Sequence, residues 1–423
     1  MLPAMSTTTF DPTAPLPGPP DPWQSTTQPS RREAAPFHMT DMIEAEPALA
    51  ARILARNEDA ASAASALATA VARAVRAGGQ VVVTGCGTSE HAAQAVAEIL
   101  REAVRSAGLS GPGGTAARLP VAEQALELSL DPPSTGLVIA VSHEGATTAT
   151  NAAIKASRDA GARTALITVT ERSPGAELAH VVLATEELDQ SWCHTVGYLS
   201  PIAAAVAIGA HIARRPVDEA LRSSVRGLLQ AGVDRGSIAE SVAARLAGVR
   251  HVLVIASGAD RPAGRELALK IEEGTWIPAA YRDIETFLHG HLAATEPTTG
   301  LLLVLTDRER RDERMERARG ALRAARVIGM ETAAILTADI AADLPTELTP
   351  AGRMVIPEAP GLPSPVAALV GSATPLQLLT ERLARARGVD PDSIHRDVDA
   401  YRQAADAADA ADAANAVEAS EAG

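Results

Sequence analysis

Lysine is almost missing from this chain. Of 38 Lys and Arg residues in 423, only Lys155 and Lys270 are lysine. Arginine therefore serves as the general surface cation. A guanidinium stays protonated near neutral pH, whereas an amine can exchange its proton. A surviving lysine marks either a place where arginine fails or a chance retention, and Lys155, on an apparent helix surface, fits the second. Aromatic residues are also scarce, with three each of Phe, Trp and Tyr. Five of them, Trp192, Tyr198, Trp276, Tyr281 and Phe287, flank the polar motifs and are expected to wall a pocket. Cys86 and Cys193 are the whole cysteine complement, which excludes a disulfide framework and leaves no metal-ligand spacing. Neither a metal nor a cofactor is expected. No apolar run is long enough to span a membrane, and the N-terminus lacks the basic start and apolar stretch of a secretory signal, so a cytoplasmic protein is expected. Net positive charge is missing too. At -14, the surface repels nucleic acid and anionic membrane, and any anion-binding site must be local.

Hydrophobic residues make up 46% of the chain, enough for two domains, each with its own core. Residues 1–37, rich in Pro, Ser and Thr without periodicity, read as a disordered tail. Met39 is a candidate start of translation, since a helix begins directly after it with Asp41 in its first turn. Residues 401–423 end in acidic Ala-Ala-Asp repeats with little to bury. Residues 1–37 and 405–423 are expected to be dispensable. A boundary near Pro216 gives domains at 41–215 and 216–400.

Each domain alternates short β-branched runs with helical stretches. In the first, strands are expected at 81–84, 137–141, 165–169 and 181–183. In the second they fall at 251–255, 301–305, 333–336 and 354–356. A long helix at 365–387 closes the pattern. Continuous apolar strands separated by helices indicate parallel sheets covered on both faces, hence two tandem three-layer α/β/α units.

In such sheets ligands bind beyond the C-terminal strand ends. Two loops there carry hydroxyls at helix starts: Gly85-Cys86-Gly87-Thr88-Ser89, and Ser142-His143-Glu144-Gly145-Ala146-Thr147. One such loop reads as an ordinary helix cap. Two at corresponding strand ends favour a phosphate site. In the second unit Glu266, Lys270 and Glu273 stand at i, i+4 and i+7 on one helix face. An exposed charge ladder has the same spacing. The rarity of lysine and the apolar Leu267, Ala268, Leu269 and Ile271 argue for a buried acid–base set instead. Partly buried carboxylates with raised pKa values act as general bases. His289, in Phe287-Leu288-His289-Gly290-His291, is a candidate for proton exchange with a sugar oxygen.

These motifs resemble the tandem sugar-isomerase (SIS) domain family over residues 41–400. The likeness is to the isomerase half of glutamine–fructose-6-phosphate aminotransferase and its stand-alone ketose/aldose isomerase and deglycase cousins. The family's Gly-x-Gly-Thr-Ser falls on Gly85, Gly87, Thr88 and Ser89. Its Ser-x-Ser-Gly-x-Thr falls on Ser142, Glu144, Gly145 and Thr147. Its Glu-x-x-x-Lys-x-x-Glu falls on Glu266, Lys270 and Glu273, with His289-Gly290 in matching spacing. The run Pro375-Leu376-Gln377-Leu378-Leu379 also matches, and Asp189–Tyr198 matches loosely.

The resemblance implies an enzyme that isomerises, deaminates or deglycates a phosphorylated ketose or aminosugar through an enediol(amine). Glu273 would shuttle the proton between C1 and C2, supported by Lys270 and Glu266. His289, from the partner subunit of a homodimer, would assist ring opening. Gly87, Thr88, Ser89, Ser142, His143, Glu144, Thr147 and His194 would contact substrate. A non-catalytic sugar-phosphate-binding regulator is the alternative. Three departures qualify the likeness. No glutaminase domain or catalytic cysteine precedes the repeats, so glutamine-driven synthesis is not expected. The terminal lysine that forms a Schiff base in the synthase has no counterpart in Asp390–Asp397. Glu144 replaces a phosphate-contacting serine, which leaves a rotated carboxylate, a locally supplied arginine, or an unphosphorylated substrate.

Overall fold

Short Val-, Ile- and Leu-rich runs form the strands, and their burial on both faces sets the layers. The computed structural model describes residues 10–18, 21–22 and 31–408. One sheet contains β1 (Val81–Gly85), β2 (Val121–Gln124), β3 (Leu137–Val141), β4 (Arg163–Thr168) and β5 (Val181–Ala184). The other contains β6 (His251–Ala256), β7 (Ala279–Asp283), β8 (Thr299–Leu305), β9 (Glu331–Thr337) and β10 (Gly352–Ile356). Their orders are β2-β1-β3-β4-β5 and β7-β6-β8-β9-β10, the same arrangement twice. Every pairing is parallel, as in Val81 opposite Leu137 and His251 opposite Thr299. With helices on both faces, each half is the three-layer α/β/α unit the sequence implies. The two outer strands β2 and β7 are additions to the sequence reading. β2 is largely exposed and β7 half-buried, so neither shows the apolar run that marks the inner strands.

Six helices frame the strand ends and the core between the halves: α1 (His38–Arg56), α2 (Thr88–Ser106), α3 (Thr148–Ala160), α4 (Val196–Ile212), α5 (Arg261–Thr275) and α6 (Ser364–Ala386). One apolar cluster joins both halves. It holds Met42 and Ile53 of α1, Ile202 of α4, Val225 and Leu228 beyond Pro216, and Leu369 and Leu376 of α6. The core thus continues across the boundary expected near Pro216.

The N-terminal end departs from the expected tail. Leu16 is 4% exposed and joins the core, its N–H donates to Glu187 Oε2 at 3.0 Å, and Arg52 donates to the Thr13 carbonyl at 2.7 Å. Residues 10–18 are therefore packed, and an apolar pair, Phe10 and Leu16, is the signal within the Pro-rich stretch. At the other end, Asp392 accepts the His38 and Met39 N–H groups at 2.7 and 2.8 Å. It satisfies donors that the start of α1 leaves open. Residues 399–408 are helical, so a division at 400 falls inside an element. Residues 1–9, 19–20, 23–30 and 409–423 of the expected tails lie outside the described residues. Among the described residues no helix is long and apolar enough to cross a membrane, and no cluster of His, Cys, Asp and Glu suits a metal ion.

Candidate active site

β1 and β3 are neighbours although β2 lies between them in sequence, so the strand order reverses between them and a crevice opens at their C-terminal ends. After β1 the chain turns sharply into α2. A Cβ on Gly85 would lie 2.5 Å from the Ser89 carbonyl oxygen, so only glycine allows this close approach. After β3 it turns through Gly145, at φ +73, where a Cβ would meet Ser173 Oγ at 2.1 Å. Neither α2 nor α3 is capped by a side chain at its N-cap residue, Gly87 or Thr147.

The crevice is a cleft of about 650 Å³. Thr88, Ser89, His143, Glu144 and Thr147 line it from the two loops, His194 and Trp192 from the segment before α4, and Glu273 from α5. Arg396 and Arg402 enter from the C-terminal segment. Seven of the twelve residues singled out in the sequence thus meet in one place. Gly87 supplies the turn into α2. Ser142 is buried and donates to Thr147 Oγ1 at 3.4 Å, a supporting position.

Glu266 and Lys270 are fully buried, and Glu273, with 24% of its side chain exposed, is the member of the i, i+4, i+7 set that reaches the cleft. Lys270 donates to Glu273 and lies 3.6 Å from Glu266 Oε1. The other Glu266 oxygen is 2.8 Å from His91 Nδ1 on α2, so the set is braced across the two halves. Burial would raise the Glu266 pKa, but Lys270 and His91 outweigh it and hold the carboxyl below the usual range. Burial likewise opposes the Lys270 ammonium, and the Glu273 and Glu266 carboxylates more than reverse this, raising its pKa. A raised carboxylate pKa at Glu266 is therefore overturned: it is an ionised brace. Lys270 is a permanent point charge between two acids, a compact role that a forked guanidinium fills poorly.

On the opposite wall, Asp189 organises the approach to α4. It accepts N–H groups of Ser191, Thr195 and Gly197 at 3.1, 2.7 and 3.1 Å, and its Oδ2 lies 3.6 Å from His194 Nδ1. Burial works against charge on His194, but Asp189 outweighs it and raises the imidazole pKa. His143 behaves oppositely. Its Nε2 accepts the Asp189 N–H at 2.9 Å, which fixes the Nδ1–H tautomer. Burial, with His194 nearby, lowers its pKa to about 4, so it stays neutral. Burial raises the Glu144 carboxyl above its ordinary value.

His289 does not line this cleft. It is 71% exposed on the second half, with Nε2 2.9 Å from Glu285 Oε1. Of the five aromatics, Trp192 alone is a cleft wall. Tyr198 and Phe287 are buried in the core, Trp276 stacks on His395 at 3.7 Å, and the Tyr281 hydroxyl donates to Asp283. His91, Asp189, Arg396 and Arg402 are additions to the sequence reading. The Asp189–Tyr198 likeness begins on one of them, whereas Arg396 lies at the end of the expected second domain and Arg402 in the segment that sequence pattern alone marks as tail.

Residues 245–329, which include α5, match the SIS domain family. The C-terminal domain of glucosamine-fructose-6-phosphate aminotransferase from Francisella tularensis superposes with a TM-score of 0.71 at 15% identity, covering 86% of this chain and all (100%) of that one. The chain shares that structure's fold, and its residues 245–329 carry the SIS-domain match. A second structure, tagatose-6-phosphate ketose/aldose isomerase from Escherichia coli, superposes with a TM-score of 0.66 at 17% identity, covering 88% of this chain and 98% of that one. In sequence, the isomerizing glutamine–fructose-6-phosphate aminotransferase of Leifsonia xyli subsp. xyli is 27% identical over 343 residues, 74% of this chain and 50% of that protein. The chain thus spans half the length of that relative.

Proposed function

We propose that the chain transfers a proton between adjacent carbons of a sugar phosphate, as an aldose–ketose isomerase or as a deaminase or deglycase working through the same enediol(amine). The observation that carries this reading is Glu273, an ion-paired carboxylate at the floor of a cleft whose far wall bears hydroxyls at two helix starts. Its carboxylate takes the proton from C2 of the bound aldose, giving a cis-enediolate, and returns it to C1 while the O2 proton passes to O1. Lys270 stays protonated beneath it and opposes charge build-up. Thr88, Ser89 and Thr147 donate to the phosphate, and Arg396 and Arg402 provide the local cations that a surface of net charge -14 requires.

The same reading makes the protein a homodimer. His289 is on the surface, and a second protomer would bring it to a neighbour's cleft to assist ring opening. Solvent deuterium exchange at C1 or C2 of fructose 6-phosphate, glucosamine 6-phosphate and tagatose 6-phosphate tests the chemistry. Glu273→Gln should lower the rate by roughly 10²–10⁴-fold. Mixed with His289→Ala protomers, it should recover about a quarter of wild-type activity, since half the dimers form with one intact site each. Ligand binding without exchange in the wild type would favour the regulator.

A further inference from the structure

Glu144 is the residue that least suits a phosphate cleft, and its surroundings suggest how it is accommodated. This inference rests on the sugar-phosphate reading. The charged and titratable groups around Glu144 come from four places. His143 is beside it, Asp189 and His194 stand on the segment before α4, Glu273 sits on α5 above Lys270, and Arg396, Arg402 and Asp406 come from the C-terminal segment. His143 is engaged by the Asp189 N–H and contributes no charge. Asp189 is engaged by three N–H groups and faces His194, whose protonated form it favours. Arg396 lies over the Trp192 ring at 5.1 Å, and Arg402 pairs with Asp399. Arg402 is thus offset by Asp399, while Arg396 keeps its charge, which does not by itself balance a dianion and an ionised Glu144 together.

An ionised Glu144 would oppose a dianion in this half-buried setting, whereas a protonated carboxyl is a hydrogen-bond donor like the hydroxyls of Thr88, Ser89 and Thr147. We propose that this subsite takes up an anionic end group together with a proton: Glu144 binds as the neutral acid and donates its O–H to the anion, while Asp189-held His194 supplies the positive charge. The proton comes from solvent on binding and returns to solvent on release. Glu144 thereby sets the specificity of the cleft and makes affinity fall as pH rises.

Inorganic sulfate tests this, because it carries no proton of its own in the relevant range. Quenching of Trp192, with Trp192→Phe as control, reports binding to the full chain. Uptake of one proton predicts that wild-type affinity drops about tenfold per pH unit on the alkaline side. Glu144→Gln carries a permanent neutral donor. It should bind sulfate at least about tenfold more tightly than wild type near pH 8.5 and lose most of the slope. His194→Asn should weaken binding throughout and keep the slope. Weaker binding or an unchanged slope in Glu144→Gln overturns the proposal. So does a wild type that shows no sulfate response even near pH 6. That last result would leave proton transfer by Glu273 standing, because solvent exchange tests it separately.

Discussion

The two sheets have the same strand order, so the chain contains two equivalent crevices, and they have been filled differently. At the first, between β1 and β3, hydroxyls, Glu144 and His194 face an open cleft. At the second, between β6 and β8, the loops are held by the protein's own carboxylates. Asp260 accepts the Thr306 and Asp307 N–H groups at 2.7 and 2.9 Å and the Thr306 hydroxyl. Asp307 accepts the Ala259 and Glu309 N–H groups and the Ser364 hydroxyl, each at 3.0 Å, and pairs with Arg314. Backbone donors at strand ends need acceptors. The second crevice has built them in, whereas at the first the hydroxyl-bearing loops line a cleft. Topology creates the place twice, and side chains decide where chemistry happens.

The sharpest way to break this comparison is to remove the central cation beside each crevice, both of which the second half supplies. Lys270→Met leaves Glu266 and Glu273 facing each other without their shared ammonium, and Arg314→Met leaves buried Asp307 without its guanidinium. Removing one partner of a buried pair costs roughly 3–5 kcal/mol, with Lys270→Met at the upper end because Asp307 keeps three other donors. Urea unfolding measures both. Only Lys270→Met should also abolish deuterium exchange per folded molecule. An Arg314→Met protein that folds fully yet has lost exchange would show that the second crevice takes part in the chemistry.

A second test uses pH, because the two crevices should respond with opposite sign. Burial lowers His143 to about 4 from 6.5. Its contribution is present above the unfolded value of 6.5 and is lost as pH falls toward 4. Burial raises Asp260 to about 6 from 3.8. Its contribution is fully present below 3.8 and is lost as pH rises through about 6. For fully buried Asp260 this amounts to about 3 kcal/mol. On acidification from neutrality, the stability advantage of wild type over His143→Asn should shrink, and that over Asp260→Asn should grow. Denaturant midpoints across that range measure both. Parallel trends would mean the two loops are not electrostatic opposites.

Much of this contrast was legible in the sequence, and the reason is local. Inner strands are apolar throughout because both faces are covered, so Leu137–Val141 was bounded to the residue. Gly85–Ser89 and Ser142–Thr147 showed their glycines and hydroxyls at fixed offsets, and Glu266, Lys270 and Glu273 their helical spacing. What stayed hidden depends on distant partners. The His91–Glu266 contact joins positions 175 apart, and Asp392 meets the start of α1 from 354 residues away. No local pattern encodes such pairs. The aromatics misled for a related reason: an apolar ring near a motif packs inward or outward according to the element carrying it, and Tyr198 lies on a helix buried all round.

The smallest effect concerns the first half, where residues 10–18 pack against the core. Glu187 is fully buried, and Arg52 holds it through Nε at 2.7 Å and Nη2 at 2.9 Å. The Leu16 N–H adds a third donor, and the Leu16 side chain closes the apolar cluster beside it. Leu16→Ala removes that apolar contact and keeps the N–H, so it should cost about 1–2 kcal/mol, low for a core leucine because an edge segment can relax into the space. Deleting residues 1–18 removes the N–H as well and should cost about 1 kcal/mol more, since Glu187 keeps its arginine. Both variants should retain full deuterium exchange per folded molecule, as the segment does not line the cleft. Urea midpoints distinguish the outcomes. An unchanged midpoint after the deletion would return these residues to the status of a dispensable tail, and lost exchange at an unchanged midpoint would place them in the working of the first crevice.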